Sequence, residues 1–195
     1  MTRIQSLSPE VMNTAQRRVA DEIAGGPRGG LRGPFIALLH SPALAERLQG
    51  VGEYLRFKSS LPQDAFELAV LLTARHWTCQ YEWLAHTPLA RKAGLSEAII
   101  TAVAGGHRPA DMTRQQEAVY AFATQLHQGF GVSDETFAAA TNLFGTEQVI
   151  DLVAVCGYYT TLAMVLNMAQ LPLPDGAAAP LEPLIGFAGR RSDGS

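Results

Sequence analysis

Four glycines, Gly94, Gly105, Gly129 and Gly145, each stand at the end of a stretch whose apolar residues recur at helical spacing. No stretch alternates polar and apolar residues convincingly, as a half-buried strand must. The chain is therefore expected to be all-α. Helix starts carry matching signals. Ser8-Pro9-Glu10 offers a cap, a first-turn proline and an early acid for a helix running to about Gly25, and Thr113 with Gln116 fits a capping box. Further helical segments are predicted at 35–40, 43–58, 61–77, 78–93, 96–104, 113–128, 133–144 and 146–170. Within 61–77, Phe66, Ala69, Val70, Thr73, Ala74 and Trp77 follow one face, while Leu68, Leu71 and Leu72 make the other apolar too. A helix apolar all round is a buried one. Residues 25–34, rich in Gly and Pro, read as a loop. The organisation expected is an N-terminal helix and Gly-rich loop (1–32), a helical domain (33–170) and an extended Pro-rich tail (171–195).

Composition narrows the class. Of 195 residues 47% are hydrophobic, enough for a packed core. Only 17% are charged, against ~25% in ordinary domains, so part of the surface is expected to be covered by sister subunits. The net charge of −3 argues against a nucleic-acid partner. No apolar run reaches the ~18–20 residues of a membrane span, and the start, Met1-Thr2-Arg3-Ile4-Gln5-Ser6, lacks an apolar signal core. A cytoplasmic protein without a membrane partner is expected. Cys79 and Cys156, far apart, make neither a disulfide framework nor a metal-ligand pair. In the tail, Leu181, Leu184, Ile185 and Phe187 suit docking on a neighbour, and the last six residues are expected to be disordered. A faint repeat lays Glu67-Leu-Ala-Val-Leu-Leu on Asp151-Leu-Val-Ala-Val-Cys, so an internal duplication is an open possibility.

Reactive side chains are densest from Arg75 to His86. If Thr78 caps a new helix, Cys79 falls in its first turn, where free N–H groups and the positive dipole end favour a thiolate. Cys79, Glu82 and His86 are spaced i, i+3, i+7 and share a helix face, and Glu82 at i, i+4 can fix one imidazole nitrogen of His86. Glu67, on the buried helix, needs a partner or a proton. Each residue also has a plain structural role. Cys79 alone is more often a small core residue than a nucleophile, and Cys156 is packing. A Glu82–His86 pair on a surface helix is worth only ~0.2–0.5 kcal/mol. Glu67 could simply bond a helix N-terminus or an arginine. Trp77, Tyr81 and Trp83 are most simply core or interface aromatics. Arg75 is structural or, beside this cluster, suited to a substrate carboxylate. His76 and His107 read as surface or loop histidines, and His40 and His127 carry no pattern.

The stretches Pro34-Phe-Ile-Ala-Leu-Leu-His-Ser-Pro42, Gly52-Glu-Tyr-Leu-Arg56, Glu67-Leu, Tyr81-Glu-Trp-Leu-Ala-His86 and Ala90-Arg-Lys-Ala-Gly-Leu-Ser96 resemble the carboxymuconolactone decarboxylase and alkylhydroperoxidase D-like (AhpD-like) superfamily. The resemblance implies an all-α fold of helical hairpins, assembly into homo-oligomeric trimers or hexamers with sites near subunit interfaces, and no organic cofactor or metal. In the peroxidase branch an acid precedes, by eleven residues, the motif Cys-x-x-Cys-x-x-x-His. Glu67, Cys79 and His86 match it in spacing, and Glu82 stands where the second cysteine would be. A carboxylate cannot form half of a disulfide. The resemblance therefore implies a decarboxylase-like, cofactor-independent acid/base enzyme acting on a small carboxylated lactone or related acid. His86 would be the proton donor, held by Glu82 or Glu67, with Cys79 shaping the pocket and Arg75, Tyr81 and Trp83 against substrate. A one-cysteine peroxidase, with Cys79 attacking peroxide and Glu67, Tyr81 and His86 relaying protons, is the alternative, and a non-catalytic paralogue a third. The acid/base reading requires that Glu67 and His86 converge on one cavity.

Overall fold

The computed structural model describes residues 2–27, 29–129, 131–173 and 176–183. Among them the regular structure is eight α-helices and no strand: α1 (Thr14–Gly25), α2 (Pro34–Leu38), α3 (Pro42–Phe57), α4 (Gln63–His76), α5 (Gln80–Lys92), α6 (Glu97–Ala104), α7 (Arg114–Gly129) and α8 (Asp134–Ala169). The sequence boundaries hold within a few residues at most ends. Thr113 and Gln116 close their capping box at 3.1 and 3.2 Å. The expected break at Gly145 is real: its φ of 75° interrupts the helical backbone inside α8.

One start is corrected. The first helix begins at Thr14 rather than near Ser8, because Asn13 and Gln16 exchange backbone and side-chain hydrogen bonds at 2.9 Å each. That reciprocal box satisfies two terminal donors at once. Residues 8–12 form turns instead, which Arg17 braces through the carbonyls of Pro9 and Met12.

α4 is the axis of the molecule and packs against α5, α6, α7 and α8. Ala65 through Leu71 and Thr73 through Arg75 are all buried, as its all-round apolar sequence requires. Phe66, Leu68 and Leu71 share one core with Phe122 of α7, Leu152 and Leu162 of α8, and Val19 and Ile23 of α1. α8 is long and apolar enough to cross a membrane by length and composition, unlike the expectation from runs of residues alone. Here it is a core helix: Val149, Leu152, Val155 and Tyr159 face inward, and its buried Asp151 accepts hydrogen bonds from Ser59 (2.6 Å) and Tyr54 (3.2 Å) of the α3–α4 region.

The tail also departs from expectation. Leu181 is buried on its own chain, not on a neighbour, because Gln80 bonds both its N–H (2.8 Å) and its carbonyl (2.7 Å), and Arg75 donates to the Glu182 carbonyl at 2.7 Å. Leu184, Ile185, Phe187 and the last six residues lie outside the described residues.

Candidate active site

The α4–α5 connection fixes the site. α4 ends in a reverse turn in which the Cys79 N–H donates to the Ala74 carbonyl (2.8 Å) and the Thr78 N–H to the Arg75 carbonyl (3.0 Å). Thr78 takes the left-handed conformation, φ 45°, that this Schellman arrangement demands. Thr78 is therefore not the cap of α5; Cys79 is. The turn sends α5 back along α4, and the geometry brings the two key groups together. His86 Nδ1 lies 2.8 Å from Glu67 Oε2, with both side chains buried. Gln63, one turn earlier on α4, donates to the other Glu67 oxygen at 3.1 Å. With Nδ1 occupied by Glu67, Nε2 is the ring nitrogen left toward Glu82 and the cavity. Nε2 stands 3.6 Å from Glu82 Oε2, an ion-pair distance too long for a hydrogen bond.

His86 and Glu82 line a cavity of about 350 Å³, also bordered by Arg32, Arg56, Tyr81 and Tyr159. Its apolar walls include Phe57, Leu89 and Leu162. Arg32 and Gly33 come from the Gly-rich loop, Arg56 from the last turn of α3, Tyr159 from α8. Tyr159 meets the imidazole edge-on, centroids 4.9 Å apart at 86°. Burial holds its hydroxyl well above the ordinary range, with Glu82 adding to the effect, so it stays protonated. Tyr81 is raised for the same two reasons. Gly33, at φ 59°, brings the backbone so close to the Tyr81 ring that a Cβ would lie 3.0 Å from its Cε1.

Glu67 itself is not among the lining residues and reaches the cavity only through His86, and three other expected members stand elsewhere. Cys79 has no exposure and packs with Ala163, Leu166, Trp77 and Tyr81. Burial, reinforced by Glu82, pushes its thiol up to about 12, the reverse of the thiolate that a first-turn position would favour. Trp83 belongs to the main core and is not part of the cavity lining. Arg75 lies at the far end of α4, bonded to the tail, and borders a different cavity. Arg32, Arg56 and Tyr159 occupy the positions around His86 that sequence proximity had suggested for Arg75. Arg56 was within reach of sequence reading, since it closes the Gly52–Arg56 stretch; Arg32 and Tyr159 carry no local signal.

The arrangement is thus a carboxylate–imidazole dyad on a helical hairpin, opening into an arginine-bordered cavity. Residues 42–125 match the model of the carboxymuconolactone decarboxylase family. Among solved structures the chain is similar to an alkylhydroperoxidase AhpD core, an uncharacterized peroxidase-related protein from Ralstonia eutropha JMP134, at 20% identity, with TM-score 0.72 over 89% of this chain and 93% of that one. It is also similar to the debrominase Bmp8 in its apo form, at 15% identity, with TM-score 0.69 over 92% of this chain and 95% of that one. No curated protein matches the chain. The central segment thus resembles the carboxymuconolactone decarboxylase family, and the fold is that of the AhpD core and of Bmp8.

Proposed function

We propose that the protein is a cytoplasmic, cofactor-independent acid/base enzyme of the decarboxylase-like kind, acting on a small carboxylated lactone or related acid. The observation that carries this reading is the Glu67–His86 contact of 2.8 Å at the wall of a cavity that Arg32 and Arg56 also line. The two guanidinium groups hold carboxylate oxygens of the substrate. Loss of CO2 from carbon conjugated with a lactone carbonyl leaves the electron pair of the broken bond in a dienolate. The protonated Tyr159 hydroxyl donates to the developing oxyanion. His86 Nε2–H returns one proton to carbon, and solvent restores it. Glu67 keeps the ring oriented and stabilises its cationic form; Glu82 faces the same nitrogen and supports that charge. The burial of Cys79 and its raised thiol count against a peroxide-reducing role.

The test is CO2 release from a panel of unsaturated lactones bearing a ring carboxylate, and from the corresponding open acids. Wild-type protein is expected to turn over at least one. His86→Gln, which can still bond Glu67, should lower turnover by ~10²-fold, the usual scale of general acid/base help, and Arg56→Gln should mainly raise KM. Turnover of His86→Gln near the wild-type rate overturns the reading.

A further inference from the structure

A second cavity, of about 100 Å³, lies between the end of α4, the loop after α6 and α7, and shares no lining residue with the His86 cavity. Arg75 is its centre. The side chain is 96% buried, at 4% relative exposure, and one nitrogen donates to the Glu182 carbonyl at 2.7 Å. Its Nε and Nη1, both buried, have no partner among the described residues. A buried guanidinium ordinarily faces a carboxylate, because desolvating the charge is otherwise costly. Among the described residues no acidic side chain lines this cavity. The remaining polar wall is His76, His107, His127, Tyr120, Thr124 and Gln128. His76 and His127 stack with centroids 4.8 Å apart. The Thr73 hydroxyl spends its hydrogen on the Ala69 carbonyl, so His127 Nε2–H donates to it at 2.9 Å. Burial, with His76 beside it, holds His127 down at about 4, which leaves Arg75 as the standing charge.

We infer that this cavity is a binding site for a small oxyanion, a carboxylate or phosphate, held by the unspent Nε–H and Nη1–H groups of Arg75 and flanked by the imidazoles of His76 and His107. The size agrees: at ~30 Å³ per water the space corresponds to about three waters, which a carboxylate or a phosphate fills. A cation is repelled by the guanidinium, and among the described residues no cluster of metal-ligating side chains exists. The site differs from the His86 cavity in function as well as place. Arg75 also pins the tail at Glu182, so an anion bound there stiffens the clasp that closes the protein's C-terminal segment over α4 and α5.

The test is calorimetric titration of the full chain with inorganic phosphate and, separately, with acetate, each at an ionic strength held constant with chloride. Saturable binding of one anion per chain, beyond any carboxylate held at Arg32 and Arg56, is expected for at least one of the two. Arg75→Gln should weaken it by at least about tenfold, the scale of a charge-assisted hydrogen bond, while Arg56→Gln leaves it in place. If Arg75→Gln loses its cooperative thermal transition, His107→Leu, at the exposed rim, serves instead and should weaken binding several-fold. Absence of saturable binding by both anions overturns the inference, as does binding to the Arg56→Gln protein that survives the added Arg75→Gln substitution, or binding that disappears in Arg56→Gln alone.

Discussion

His86 is flanked by two acids of different geometry, and the difference assigns their roles. Glu67 is in hydrogen-bond contact with Nδ1 and is itself held by Gln63; Glu82 stands off from Nε2 at 3.6 Å. Glu67 therefore orients the ring, and Glu82 modulates the nitrogen that faces the cavity. Cys79 is the instructive contrast. It satisfies the superfamily spacing, yet full burial and a thiol raised to about 12 remove the thiolate that alkylation and peroxide attack both need. Native protein treated with iodoacetamide at mildly alkaline pH should leave Cys79 unmodified by peptide mass spectrometry, with modification appearing only on unfolding. Rapid labelling of the native chain would restore the thiol reading. At this scale the sequence disclosed the Glu67–His86 contact, while Arg75, expected beside it, borders a different cavity. Glu67 and His86 were legible because a recognised motif fixes their separation. Arg75 was misassigned because it is near His86 along the chain, whereas α4 carries it to the opposite end of the hairpin from Glu67. Arg32 and Tyr159 were illegible because only tertiary packing brings a loop and a distant helix to the same imidazole.

The α4–α5 turn is the element on which the site depends. Its hydrogen bonds from Cys79 to Ala74 and from Thr78 to Arg75 set the angle at which α5 returns, and Trp77 locks the turn onto α8 by donating to Thr160 (3.2 Å) while its carbonyl accepts from Asn167 (2.9 Å). The turn asks a β-branched residue to adopt φ 45°, which costs roughly 1–2 kcal/mol relative to glycine's freedom there. Thr78→Gly should accordingly raise stability by about 0.5–1 kcal/mol, the part left after glycine's extra unfolded-state entropy. Chemical denaturation checks it, and a loss of stability would mean that the Thr78 side chain holds the turn by a contact more valuable than its backbone strain. The same turn explains an error of reading. Thr before a helical run looks like an N-cap, but the preceding helix claimed it first, because its own carbonyls needed closing. The ends at Gly94 and Gly145 and the start at Thr113 were legible because single residues there dictate the backbone, whereas at the end of α6 the left-handed residue is Gly106, one beyond Gly105; Asn13 with Gln16 carries the same capping signal in competition with the stronger-looking Ser8-Pro9-Glu10.

At the scale of the whole molecule, one helix face leaves large apolar side chains exposed. Along α8, Ile150, Val153, Met164 and Met168 are exposed by 62, 39, 47 and 50%, with exposed Gly157 and Thr161 between them. Their spacing of three and four residues makes one stripe down the outer face of the helix. Tyr54, which reaches α8 through Asp151, and Phe57 extend the exposed apolar surface along α3, at 40 and 48%. Phe57 also borders the His86 cavity. A stripe of apolar and small residues on a long helix suits close helix–helix contact between copies. The expected outcome is a homo-oligomer whose interface runs from α8 toward the rim of the cavity, so that assembly and turnover are linked. Light scattering on the eluted protein should give a multiple of 20.9 kDa. The double variant Ile150→Glu, Met164→Lys should shift the mass down toward one chain and lower turnover with its helical content intact. A wild-type mass of one chain refutes the interface; a dissociated variant with full turnover separates the interface from the site, because the cavity would then be complete within a single subunit.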